Sequence, residues 1–158
     1  MEKVQITREG HQKLLNKLHD MKGRGRTEVA DELEEARSHG DLRENADYDA
    51  AKEKQGMLEA NIRMLEDQVA RAEIIDLTNL PTHQVAFGLV VTFENLETER
   101  VREYQIVGET EADLAQKKIS VTAPIIKPMI GKEVGDIVEV ELNGEVQELE
   151  ILEIKRAL

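Results

Sequence analysis

No cysteine occurs in the 158 residues, which excludes disulfides, thiolate metal sites and thiol nucleophiles together. Tryptophan is also absent, and aromatic residues reach only 3%. No run approaches the roughly 18 consecutive apolar residues of a membrane span, so no membrane partner is expected. The opening MEKVQITREG has no apolar stretch behind its lysine and carries no visible signal peptide. A cytoplasmic location is the plain expectation. The serines are Ser38 and Ser120 alone, neither in a G-x-S-x-G context, and no P-loop or G-x-G-x-x-G is present. A self-sufficient enzyme is not expected.

Charge of one sign is scarce. Lys and Arg number 21 against 33 Asp and Glu, a formal net charge of −12. That balance argues against gripping nucleic acid by counterion release, which needs a basic face. Any action on nucleic acid has to be local or pass through a partner. Glu, Lys, Arg, Leu and Ala crowd the first half, the composition of long exposed helices.

The first half carries two apolar stripes. Tyr48, Ala51, Gln55, Leu58, Ile62, Leu65, Val69 and Ala72 follow one another at steps of 3 and 4, a seam suited to a two-helix pairing. Upstream, Leu14, Leu18 and Met21 begin a second stripe that Val29, Leu33 and Ala36 continue. Between them lies KGRGRTE, residues 22–28. Gly23 and Gly25 each cost about 1 kcal/mol relative to alanine within a helix, so a kink or short break is expected, with Thr27 capping the distal part. Thr7 is the expected N-cap of the basal part. Only a few residues around Gly40 join the stripes, so the helices must run antiparallel as a hairpin. About 33 residues at ~1.5 Å each make a rod of roughly 45–50 Å.

After Ala72 the period changes. GLVVTFEN and VREYQIVG read as strands around the polar turn LETER, and Asn143-Gly144 is a preferred two-residue hairpin turn flanked by alternating apolar residues. APIIKPMIG is expected as a short helix with Pro124 in its first turn and Gly131 past its end. The expected architecture is α+β in two domains. Residues 1–76 form an antiparallel coiled-coil hairpin with an acidic tip near 40–44, 77–82 a linker, and 83–158 a small, mostly antiparallel β domain with a short helix.

The tip, ARSHGDLRENADYDAAKEKQ, holds the candidate chemistry. Asp41 and Glu44 flank Leu42 and Arg43, with Asp47 and Asp49 one turn further on. One reading is local: Asp41 caps the second helix and Glu44 sits in its first turn against the macrodipole. The other is metal binding. Asp and Glu oxygens suit Mg²⁺, which takes six octahedral ligands, so two carboxylates make a site completed by another molecule. His39 with Asp41 and Glu44 is a weaker alternative for a transition metal. Arg37 and Lys52 lie on opposing helices at a similar distance from the turn. They form either ion pairs with nearby glutamates or a small cationic spot for a phosphate or an RNA end.

Taken together, the tip motif, ITREGHQKLLNKL, YQIVGETEAD and ISVTAPIIKPMIGKEVGD resemble the bacterial Gre transcript-cleavage factors over nearly the whole chain, and DYDAAKE is closer to the GreA branch than to the GreB branch. The resemblance implies a coiled coil followed by an FKBP-like C-terminal domain. It implies a partner, bacterial RNA polymerase, whose secondary-channel rim the second domain docks on while the coil reaches the active centre. Asp41 and Glu44 match the tip acids that help hold a second, shared Mg²⁺ there, so that the 3′ end of a backtracked nascent RNA is hydrolysed. Arg37 and Lys52 match the family's basic patch for RNA. Ser120, Ala123, Pro124, Ile125 and Ile126 fall in its docking face. Lys127-Pro128 departs from the usual arginine followed by a small residue. A monomer suffices, since the hairpin is self-contained. The alternative within this resemblance is a channel-binding regulator that does not promote cleavage.

Overall fold

The 3–4 spacing is realised as a helical hairpin. In the computed structural model, which describes residues 2–40 and 45–157, helix α1 (Arg8–Asp20) passes through a π-helical turn (Met21–Gly25) into α2 (Arg26–Arg37), and α3 (Ala46–Arg71) returns beside it. Residues 11–72 form one compact unit; residues 2–10 and 73–158 form a second.

The expected break at KGRGR does not occur. Asp20 (φ −62°, ψ −45°) and Gly25 (φ −60°, ψ −47°) both keep right-handed helical geometry, and Thr27 lies inside α2 without capping it. The reason is the phase of the stripe. After Met21 and Gly25, a strict alternation places the next seam positions at Glu28, Glu32 and Glu35, whereas the apolar residues are Val29, Leu33 and Ala36. The sequence is one residue out of step. A π turn closes its bonds one residue further along than an α turn and absorbs that residue. Val29, Leu33 and Ala36 are consequently buried. A Cβ on Gly25 would stand 3.3 Å from Leu58 Cδ1, so the glycine lets α3 approach closely, while Gly23 faces open space.

On α3 the seam behaves as its spacing predicts. Ala51, Ile62 and Leu65 are buried, and Val29, Leu33 and Ala51 cluster with Tyr48 and Leu58 packed against them. Ion pairs cross the hairpin beside this seam: Lys22–Glu66 at 3.0 Å, Arg26–Glu59 through two bonds of 2.9 Å, and Lys54–Glu32 at 2.9 Å. Exposed pairs of this kind contribute little net stability, but they are compatible with only one register.

The second unit starts at the N-terminus. Strand β1 (Val4–Thr7), which the sequence reading did not anticipate, pairs with β2 (Ala72–Ile75). Thr7 caps α1 as expected, its Oγ1 accepting from the Gly10 N–H at 3.0 Å. The Thr7 N–H and hydroxyl both donate to the Glu111 carboxylate, which also accepts from the Gly108 N–H at 2.9 Å.

The main sheet contains β3 (Leu89–Asn95), β4 (Val101–Val107), β5 (Lys118–Ser120), β6 (Ile137–Leu142) and β7 (Glu145–Arg156) in the order β5-β4-β3-β7-β6. It is mixed, because β5 runs parallel to β4 while the other pairs are antiparallel. Asn143 and Gly144 take φ of 54° and 81° in the β6–β7 turn, as a tight primed turn demands. Leu89, Val91 and Phe93 alternate inward to meet Ile106, Val140, Leu149 and Ile151 in one core. Leu80, placed by the sequence reading in a linker, packs against this core.

The short helix expected over APIIKPMIG is reduced to a single 3₁₀ turn, Lys127–Met129. Pro128 occupies its second position and has no N–H to give, so an α-helical ladder cannot extend through it. The turn is nonetheless well anchored, with Ile126 and Met129 fully buried.

Two outcomes follow for stability. Gly23→Ala fits the helical backbone and open space around it, and should stabilise the protein by about 0.4–1 kcal/mol in urea titrations. The Arg26 bond holds Glu59, and the Thr92 hydroxyl together with Lys155 holds Glu103, below the ordinary carboxyl value of 4.5. Depressed carboxyl pKa values stabilise the fold above the unfolded value and lose that contribution as pH falls through the folded one. The urea midpoint should therefore drop as pH is lowered below about 4.5, and Arg26→Gln should make that drop shallower.

Candidate functional site at the hairpin tip

Helix α3 begins later than the acids suggest. Its N-cap is Asn45, whose Oδ1 accepts from the Tyr48 N–H at 3.0 Å. The same side chain donates through Nδ2 to the Ala36 carbonyl in the last turn of α2. Asn45 is only 9% exposed, and a buried amide needs both ends satisfied. Here one end caps α3 and the other ties it to α2, so a single residue joins the two helix ends that bracket the turn. Sequence reasoning missed this residue. The signal was available: Asn is a preferred cap, and Asp47 and Asp49 follow it as first-turn acids.

Asp41, Leu42, Arg43 and Glu44 lie outside the described residues. The described cap still bears on them. Since Asn45 meets the capping requirement of α3, the expected capping by Asp41 falls away, and Glu44 precedes the first turn.

The cations near the tip divide into two groups. Lys54 is neutralised by Glu32 across the hairpin, as Arg26 and Lys22 are by Glu59 and Glu66 further along. Arg37 instead lies with its guanidinium carbon 5.9 Å from the centre of the Tyr48 ring, a cation–π contact. Lys52 donates to the neutral Gln55 amide at 3.3 Å. Tyr48 and Lys52 are one turn apart on α3 and share a face. Among the described residues, no carboxylate pairs with Arg37 or Lys52. Among the described residues the ion-pair reading therefore holds for Lys54, while Arg37 and Lys52 have no such pair.

His39 turns to Asp47, its Nδ1 standing 3.3 Å from the carboxylate. Among the described residues no group of three His, Cys, Asp or Glu side chains is arranged to hold a metal ion.

In the second unit β5 ends at Ser120 and residues 121–126 form a surface loop with one buried anchor. Ser120 Oγ lies 2.7 Å from Thr122 Oγ1 and accepts from the Thr122 N–H at 3.1 Å, which turns the chain. Pro124 is exposed, and Ala123 and Ile125 are half-buried. Ile126 is 0% exposed; of the five residues expected to dock, it belongs to the core and shapes the loop from beneath.

The helical hairpin and the mixed-sheet unit each match a known protein family. Residues 4–74 match the family model described as transcription elongation factor, N-terminal, and residues 80–156 match that of the GreA/GreB C-terminal region. The chain belongs to the GreA/GreB family of transcription elongation factors. It is 48% identical over 155 residues to transcription elongation factor GreA of Phenylobacterium zucineum, covering 98% of this chain and 99% of that protein. To the GreA of Neisseria meningitidis serogroup A it is 47% identical over 156 residues, again covering 98% and 99%. Among solved structures it is similar to GreA factor homolog 1 of Thermus thermophilus, at 26% identity and a TM-score of 0.44 over 97% of this chain and 99% of that one.

The dual role of Asn45 is open to a direct test. Asn45→Ala should lose about 1–2 kcal/mol in urea unfolding, from the cap and the buried bond together. Asn45→Asp keeps the cap acceptor but sets a carboxylate against the Ala36 carbonyl, and it should be destabilised as well. A cap-only role predicts that Asn45→Asp unfolds like the wild type.

Proposed function

We propose that this chain is a transcript-cleavage factor. It docks on bacterial RNA polymerase at the secondary-channel rim through Ser120, Ala123, Pro124 and Ile125, and inserts its hairpin tip toward the active centre. There it lends Asp41 and Glu44 to the polymerase, which then hydrolyses backtracked nascent RNA near its 3′ end and resumes elongation. The observation that carries this reading is Asn45. Because another residue caps α3, the two tip acids are not needed for the helix start and are left for a ligand. Family membership supports the same conclusion independently.

The donor set fits Mg²⁺. Asp41 and Glu44 bring hard carboxylate oxygens, and an octahedral ion needs more ligands than two side chains provide, so the remainder comes from the polymerase, its substrate and water. A bound Mg²⁺ at such a site lowers the pKa of water and stabilises charge developing at phosphorus. The protein's own part is to position these carboxylates on a stiff support. Arg37 and Lys52, which no described carboxylate neutralises, suit the RNA phosphates near the 3′ end, and a few charges suffice for that contact despite the net charge of −12. Arg37 is additionally held over Tyr48, which narrows its range of positions. The chain acts as a monomer and adds ligands to a catalyst it does not itself contain.

The test is transcript cleavage in a stalled, backtracked elongation complex with Mg²⁺. Wild-type protein should stimulate cleavage. Asp41→Asn and Glu44→Gln should fold and compete for polymerase normally yet lose at least about tenfold in stimulation. Retained stimulation in both variants would sink the proposal. Binding by wild-type protein without stimulation would instead identify a regulator that occupies the channel.

A further inference from the structure

Near the tip, α2 and α3 are joined by a closed circuit of contacts. The Asn45 side chain donates to the Ala36 carbonyl and accepts from the Tyr48 N–H at 3.0 Å. Arg37 follows directly on Ala36, and its guanidinium carbon lies 5.9 Å from the centre of the Tyr48 ring. The circuit thus leaves α2 at residue 36, passes through the cap and the third residue of α3, and returns through the ring to residue 37. Tyr48 is fixed at both ends. Its backbone is held by the cap, and its half-buried side chain packs against the cluster of Val29, Leu33 and Ala51.

What the ring does for Arg37 follows from the alternative open to that residue. Glu34 stands three residues before Arg37 on α2, a spacing that brings two side chains together for an ion pair. Further down the shaft an arginine takes that option: Arg24 pairs with Asp20 at 3.2 Å and with Glu28 at 3.8 Å. Arg37 does not pair with Glu34 and lies over the ring. The difference matters for a third party. A carboxylate occupies the N–H donors of a guanidinium and cancels its charge, whereas an aromatic face leaves the donors unspent and the charge in place. Tyr48 therefore restrains the group without consuming it.

We infer that Tyr48 is a positioning residue for the RNA contact: its ring keeps Arg37 from pairing with Glu34 and holds the guanidinium ready for a phosphate of the nascent RNA. It acts through Arg37 and does not touch the RNA itself. This role rests on the proposed cleavage function and deepens it, by assigning the residue that makes Arg37 available. The ring carries the effect and the hydroxyl does not, because the cation meets the aromatic face. The Asn45 bridge has the same purpose one step removed, since it sets the place of Tyr48 on α3 relative to the end of α2.

The experiment has two readouts. In the free full-length protein, NMR resonances of the Arg37 side chain report the ring current of Tyr48; the shift should vanish in Tyr48→Leu and persist in Tyr48→Phe. In backtracked elongation complexes at saturating protein, Tyr48→Leu should slow stimulated cleavage roughly two- to fivefold, the weight of an exposed cation–π contact, while Tyr48→Phe stays within about 1.5-fold of wild type. In an Arg37→Gln background the same Tyr48→Leu change should cost less than about 1.5-fold, because the group it positions is gone. Adding Glu34→Gln to Tyr48→Leu should recover at least about half of the loss, by removing the acid that competes for the guanidinium. A folding defect would appear in both backgrounds and would not be relieved at Glu34. Equal losses from Tyr48→Leu with and without Arg37 overturn the inference and leave the proposed function standing, for the ring then serves the seam or meets the RNA directly. An Arg37 resonance unmoved by Tyr48→Leu, or no recovery from Glu34→Gln, overturns it as well. Wild-type protein that fails to stimulate cleavage overturns the proposed function and this role together.

Discussion

The two helices of the hairpin have to keep one common phase along their shared seam, and the tip depends on that constraint. A seam at steps of 3 and 4 can stay between two helices only if neither stripe slips. The first stripe slips by one residue after Gly25, and the π turn over Met21–Gly25 takes up the slip. Without it, Glu28, Glu32 and Glu35 would face α3 where Val29, Leu33 and Ala36 now do, and burying three carboxylates without partners is far costlier than one unusual turn. Ala36 and Ala51, both buried and small, mark the end of the seam nearest the tip. There Asn45 spans from one helix to the other.

The arrangement of neutralised and unneutralised charge says more than the net charge does. Along the shaft, Lys22, Arg26 and Lys54 each find a glutamate on the other helix, and on the sheet Lys155 finds Glu103 and Glu153. Among the described residues other cations have no carboxylate partner, and four of them sit at two places of note. Arg37 and Lys52 flank the tip, where their partners are a ring and an amide; Arg100 and Arg102 border one cavity of the second unit.

Much of the fold was legible because it is written in short-range pattern. The α3 seam could be read from Tyr48 to Val69, the β6–β7 hairpin from Asn143-Gly144, and the start of α1 from Thr7. Each rests on a local rule of spacing, turn conformation or capping. The misreadings are equally local in origin. Glycines at 23 and 25 argue for a break on propensity alone, but the packing of Val29 and Leu33 against Ala51 overrides a penalty of about 1 kcal/mol per glycine. The reading of Asp41 as the cap of α3 failed for a related reason. Several capping residue types lie within five positions, and only the place where α3 meets α2 selects Asn45.

The sequence by itself determined that there are two antiparallel helices with an acidic turn, followed by a small sheet, because apolar period and turn residues act over a few positions. It also carried the tip motif. Only the tertiary structure decided which side chains meet across long separations: Asn45 with the Ala36 carbonyl, Thr7 with Glu111, β1 with β2, and Arg100 and Arg102 with Ile125 around one cavity. Such contacts have no period to reveal them. They exist because burial brings distant segments together, and a polar group enclosed in that way must find its partner wherever the fold has placed one.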